Sequence, residues 1–278
     1  MKKIISLVLA IALLCSCAAL LGSCAGGDVI VSKVGAQKGT TSKMYADLLK
    51  GVEVVTYDTF ALAAKDMING NADYVIVDKT TGEAICREIS GLKINPIALS
   101  SENYGIAVDK NQANLKADID GILADKADEI QAIKDKYMND DTDKFVGVTP
   151  VAKDASKADK QLVVATNAEF APWEYKEGNK YYGIDMEIAA LIAAELEMEL
   201  VIEDMDFDNV VGSVGKQNID IAMSGITITA ERAEVVNFST PYYTESIVIV
   251  LKASDTSLDK CGTAVDLLTV LCVPSEEE

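Results

Sequence analysis

Short apolar runs alternate along the chain with stretches of helical period. Val29–Ala36, Val52–Tyr57, Tyr74–Val77 and Ile94–Leu99 have strand length and are rich in β-branched residues. Between them, Ser42–Lys50, Ala61–Asn69 and Thr81–Ile89 place apolar side chains at helical spacing. Short strands separated by helices predict βαβ units and a mainly parallel sheet. Tyr104–Val108 adds a further strand, and 112–138 holds the cleanest helical stripe: Ile119, Ile122, Leu123, Ala127, Ile130, Ile133 and Tyr137 share one face, with Asp and Lys elsewhere. That pattern predicts an amphipathic helix packed on a sheet. The alternation restarts at Leu162–Thr166 and continues through an aromatic loop, Phe170–Tyr175, and a turn at Gly178-Asn179. An Ala- and Leu-rich helix follows, N-capped by Asp185 and running to about Glu197. Strands are then expected at Glu199–Glu203, Ile219–Met223 and Ser246–Leu251. The expected fold class is α/β.

Two segments fall outside this alternation. Met1-Lys2-Lys3 precedes an apolar run, Ile4–Leu14, that is too short to span a bilayer and has the form of a signal peptide. The run Leu20-Leu21-Gly22-Ser23-Cys24 resembles a lipoprotein processing site, so residues 1–23 are expected to be removed and Cys24 lipidated. Leu14-Cys15-Ser16-Cys17 makes Cys17 a second candidate, and an ordinary cleaved signal with incidental cysteines is the alternative. No later stretch is long and apolar enough to cross a membrane. The expectation is an exported, soluble chain anchored to the membrane by an N-terminal lipid, in the periplasm or on the outer face. Residues 141–160, polar and containing Pro150, have the composition of a solvated linker. The acidic run Asp140-Asp141-Thr142-Asp143 lacks the glycine and terminal glutamate of a calcium loop.

A formal net charge of −19 argues against nucleic acid or anionic lipid as partners. The absence of histidine removes His-based nucleophilic catalysis and most zinc sites. Outside the signal region only Cys86, Cys261 and Cys272 remain, widely spaced and without a CxxC, so neither a metal site nor a disulfide framework is expected. A Cys261–Cys272 bridge has no further support. No cofactor is expected.

Two sets of motifs are specific. One is SGITITAER over 224–232, followed by NFSTPYY over 237–243; the other is VGAQKGTTS over 34–42, with YVIVD over 74–78 and ENYGIAV over 102–108. Together these resemble the family-3 solute-binding proteins of amino-acid ABC importers, over roughly 33–140 and 161–252. The resemblance implies a two-lobe periplasmic-binding-protein fold of type II, each lobe a mixed, mainly parallel sheet flanked by helices. The segments, however, stand in an order that looks circularly permuted. A second lobe is expected at 29–100, the return segment of the first lobe at 101–140, the linker at 141–160, the front of the first lobe at 161–252, and an atypical tail at 253–278. A cut at a hinge crossing would leave fewer covalent connections between the lobes.

A free amino acid is a zwitterion and needs a cationic fork and an anionic acceptor. Arg232 offers a planar fork for the carboxylate. Thr40 and Thr41, before a helix, can present hydroxyls and amides to the same group. Asp78, at a strand end, can accept the ammonium. The resemblance adds Gly225 through its backbone, Thr227 through its hydroxyl, Ser224 at the pocket edge, Phe170 and Phe207 as aromatic walls, and Asn167 and Gln37 against the ligand's side chain. Trp173 and Tyr175 are expected to pack the loop. Asp78 and Arg232 come from different halves, so the expected ligand sits between two lobes.

The function expected is capture of a free, polar L-amino acid for ABC permease subunits, by a monomer that is not an enzyme. Asn167 and Gln37 point to a polar or small side chain, and the acidic chain leaves a basic one open. The alternatives are an exported dehydratase-like enzyme on the same fold and a rearranged or truncated copy.

Overall fold

The computed structural model describes residues 33–272. The signal peptide, Cys24, the first residues of the strand expected from Val29 and the last six residues of the tail lie outside the described residues. The chain divides into two compact units, one built from the segments up to Ser101 and from Ser246 onward, the other from Glu102–Glu245.

The sheet of the first unit has the order β2-β1-β3-β13-β4. Its strands are β1 (Lys33–Gln37), β2 (Glu53–Tyr57), β3 (Tyr74–Asp78), β4 (Leu92–Tyr104) and β13 (Tyr243–Lys252). β1 runs parallel to β2 and β3, and β13 antiparallel to β3. The crossovers carry α1 (Thr41–Asp47), α2 (Phe60–Ile68) and α3 (Lys79–Glu88). Every residue of β3 is buried, as are Ile247–Leu251 of β13. Runs apolar on both faces must lie inside a sheet covered on both sides, which is why these two strands are central.

The second unit repeats the pattern. Its strands are β5 (Ala107–Val108), β6 (Gln161–Thr166), β10 (Glu199–Asp204), β11 (Ile221–Ala222) and β12 (Asn237–Phe238), in the order β10-β6-β11-β5-β12. β6 pairs in parallel with β10 and β11, whereas β5 is antiparallel to β11 and β12. A small antiparallel sheet joins β7 (Glu169–Phe170), β8 (Glu174–Glu177) and β9 (Lys180–Tyr182). The helices are α4 (Ala113–Asp125), α5 (Ala127–Met138), α6 (Ile184–Glu195), α7 (Phe207–Ser213) and α8 (Arg232–Val235). Each main sheet has the order 2-1-3-n-4, where n is a strand brought in from a distant part of the chain. This is the type II periplasmic-binding-protein fold, α/β with two mixed sheets flanked by helices.

Several expectations are corrected. The segment 161–252 does not stay in one unit: the chain passes between the units within β4 and again within β13, so it crosses twice. The tail is part of the first unit's core. α9 (Ala264–Leu271) is N-capped by Thr263 in a capping box with Asp266, which satisfies two end amides at once. Leu258, Leu267 and Leu271 bury themselves in the cluster around Val34, Ile76, Ile247 and Ile249, with Cys261 and Cys272 packed against it. The helical stripe over 112–138 is two helices, broken at Lys126 (φ −103°), whose ammonium pairs with Glu195.

The solvated linker is instead laid onto the second unit. Val148 pairs with Tyr181 in both directions, the Val151 amide donates to the Leu200 carbonyl, and the Phe145 ring stacks on Tyr137 at 4.1 Å. Glu187 of α6 accepts from the Tyr137 hydroxyl, the Val146 amide and the Lys136 ammonium. Composition registered polar residues but could not register these pairings. Among the described residues no helix is long and apolar enough to cross a membrane, and no group of three His, Cys, Asp or Glu side chains is placed to hold a metal ion.

Candidate functional site

In the second unit the 224–232 segment follows β11 and is threaded along the end of β4. The Gly105 amide donates to the Ile226 carbonyl and the Ile228 amide to the Asn103 carbonyl. This pairing sets the direction of Thr227, whose hydroxyl donates to Glu102 at 2.8 Å. Arg232 opens α8. Its Nη1 donates to the Thr227 carbonyl at 2.8 Å, and its guanidinium carbon lies 5.5 Å from the Phe207 ring centre. A ring face beneath a guanidinium and a carbonyl on one of its nitrogens hold the fork in place while part of it remains half-exposed. Thr227, Arg232 and Phe207 are thus brought together. Glu102, beside Thr227, was not singled out from the sequence, although it stands first in ENYGIAV.

The turn before Thr227 rests on buried acids. Ser224 is fully buried, which places it inside the protein rather than at a pocket edge. Its hydroxyl donates to the fully buried Glu174 and accepts from the Asn167 amide. Gly225 has a left-handed φ of +52°, and a β-carbon there would meet Phe170 at 2.6 Å, so the position demands glycine. The Gly225 amide donates to Asp185 at 2.8 Å, so that amide is committed inside the protein.

Asp185 is not the N-cap of α6. Gly183 holds that position with φ +117°, where a β-carbon would meet the Trp173 carbonyl oxygen at 2.2 Å. Asp185 lies one residue inside the helix and points into the core, where the Tyr242 hydroxyl also donates to it, at 2.8 Å. Burial pushes its carboxyl up to about 7, against the downward pull of the Gly225 and Tyr242 hydrogen bonds. Trp173 packs edge-on against Tyr104 and Tyr243, and Tyr175 stacks on Tyr182. The Asn167 side chain donates to the Met205 carbonyl.

In the first unit, Thr40 caps α1. Its hydroxyl accepts from the Lys43 amide and donates to the Gln37 carbonyl. Gln37, at the end of β1, is buried and donates its amide to the Asp58 carbonyl. Thr41 is buried at the first turn, and the Ser42 hydroxyl behind it is buried with no hydrogen-bond partner. Asp78 is 5% exposed at the end of β3, in the N-cap position of α3, and its side chain makes no capping bond there. Gln37, Thr40, Thr41 and Asp78 therefore gather at the C-terminal ends of two adjacent parallel strands, the place where open α/β sheets take ligands.

Residues 162–270 match the bacterial extracellular solute-binding proteins, family 3. The arginine-binding extracellular protein ArtP of Bacillus subtilis is 39% identical over 93 residues, 34% of this chain and 36% of that protein. The arginine-bound form of domain 1 from TmArgBP is 34% identical, over 42% of this chain and 98% of that chain, with a TM-score of 0.30. Over residues 162–270 the chain is similar to family 3 of the bacterial extracellular solute-binding proteins. Another relative is the cyclohexadienyl dehydratase of Pseudomonas aeruginosa, 37% identical over 82 residues, 29% of this chain and 31% of that enzyme. The chain spans about a third of the length of these curated relatives. The family match takes in Asn167, Phe170, Phe207, Ser224, Gly225, Thr227 and Arg232; Gln37, Thr40, Thr41 and Asp78 lie outside it.

Proposed function

We propose that this chain binds a free cationic L-amino acid, arginine first among them, and delivers it to ABC permease subunits outside the cytoplasm, tethered by lipid at Cys24. Arg232 and the Thr227 hydroxyl take the α-carboxylate, with Thr40 and Thr41 as further donors. Asp78 accepts the α-ammonium. Phe170 and Phe207 flank the aliphatic part of the side chain. The observation that carries the reading is the arrangement of Thr227 and Arg232, with the fork held on a ring and a carbonyl, inside the segment that matches the family. The arginine-binding relative and the net charge of −19, which attracts cations, favour a basic ligand over a neutral one.

The segment order is proposed to be rotated relative to the family's usual one. In support, β13 comes from the far end of the chain yet lies between β3 and β4, and the residues after it pack in the same unit as β1.

The dehydratase relative favours a second reading, turnover of a cyclic carboxylate. A thermal-shift screen of the signal-less chain, with Cys24 replaced, separates the two. Arginine at millimolar concentration, bound with micromolar affinity, is expected to stabilise the fold by about 4 kcal/mol and raise Tm accordingly. No shift with any of the twenty L-amino acids, but a shift with cyclic carboxylates, would favour the enzyme. The absence of a cooperative melt would favour a broken copy.

A further inference from the structure

Asp185 and Glu174 are carboxylic acids with no solvent exposure, and they grip two successive residues of one turn: Glu174 takes the Ser224 hydroxyl and Asp185 the Gly225 amide. Two residues further along stands Thr227, and the segment ends at Arg232. Asp185 also holds the Tyr242 hydroxyl, and Tyr242 in turn is tied back to β4 through its amide on the Tyr104 carbonyl. One buried carboxylate therefore joins α6, the Gly225 turn and the strand against which Thr227 is aligned. Tyr242 faces it directly and also feels the charge of Glu174 from β8; two residues before it, the Gly183 amide donates to the Tyr137 hydroxyl, with Glu187 and Lys136 beyond. Among the described residues Asp185 makes no ion pair, so its two donors are what stabilise its charge.

We infer that Asp185 is the positioning residue of the 224–232 loop, and that its ionisation sets the loop's geometry and hence ligand affinity. The inference rests on the proposed binding function for its affinity readout, but not for its structural one. An ionised carboxylate holds the Gly225 amide by a charge-assisted bond, about twice as strong as a neutral one. Protonation weakens that bond and gives the carboxyl a proton that must itself find an acceptor. The chain has no histidine, so no imidazole titrates between pH 5 and 8; Glu174, on the same turn, is told apart from Asp185 by Asp185→Asn. Arginine has no group that titrates there either.

The experiment is amide NMR of the full mature chain, labelled at glycine and threonine, from pH 5 to 8.5, with arginine affinity measured alongside. The Gly225 and Thr227 amides are expected to titrate together near neutral pH. Arginine Kd should weaken about fivefold from pH 8 to pH 5.5. Asp185→Asn, which keeps an acceptor but no charge, should flatten both curves at the low-pH value. Tyr242→Phe, which removes a donor to the charged form, should move the midpoint to higher pH. A Gly225 amide that does not titrate, or that titrates equally in Asp185→Asn, overturns the inference whatever arginine does. A Gly225 titration with no arginine binding at any pH supports the positioning role and overturns the binding reading instead.

Discussion

Arg232 illustrates how a surface-type residue is held in place. Its guanidinium is half-buried, seated on Phe207 and bonded to the carbonyl of Thr227, so little rotamer freedom remains to be lost when an anion arrives. Arg232→Ala is expected to weaken arginine binding by about 30-fold or more, since truncating one partner of a desolvated charge pair costs about 2 kcal/mol at least. Calorimetry with unchanged circular dichroism checks it, and an unaltered Kd would remove Arg232 from the site. Asp78→Asn should weaken L-arginine more than its deaminated analogue, because only the former carries the ammonium. Equal losses would show that Asp78 does not accept it. The motifs SGITITAER and VGAQKGTTS made these candidates legible. The roles of Ser224, Gly225 and Asp185 were not legible, because the bonds among them link positions 40 residues or more apart.

Element lengths and types were largely visible because strands buried on both faces leave continuous apolar runs. β3 and β13 announce themselves in this way. The end of the chain did not: 258–271 is apolar at helical spacing, but the sheet face it covers belongs to strands at the other end of the sequence. Leu267 is fully buried there, so Leu267→Ala should destabilise the protein by about 2–5 kcal/mol, through lost burial and the cavity left behind. Chemical denaturation measures this. A cost under 1 kcal/mol would mean that α9 is dispensable to the first unit. The segment 141–160 makes the same point in reverse, since its backbone finds partners on β9 and β10 that polarity alone does not specify.

For the molecule as a whole, burial of Asp185 sets function against stability. Its folded pKa lies near 7, above the ordinary carboxylate value, so the fold prefers the protonated form. This contribution is full below about pH 4 and is lost as pH rises through about 7. Exposed acids such as Glu199 and Asp266, held below their ordinary range by hydrogen bonds, act in the opposite direction and only at acid pH. The stability of the wild type relative to Asp185→Asn should therefore fall between pH 4 and 7 and level off above. Denaturant midpoints across that range test it, and a constant difference would mean that the buried charge carries no penalty. The affinity expected above runs the other way, since the ionised form that burdens the fold is the one that grips Gly225.

The sequence by itself determined the α/β class, the strands that had to be central and the family resemblance, and it named candidates for meeting a zwitterion, because all of these are written in local periodicity or contiguous motifs. Tertiary structure alone decided where β13 goes, what α9 covers, that the chain crosses twice between its units, and that Asp185 faces the core and not the helix end. The physical reason is that pairing and burial depend on which distant surfaces meet, and a chain whose sheets are completed by strands remote in sequence does not record those meetings locally.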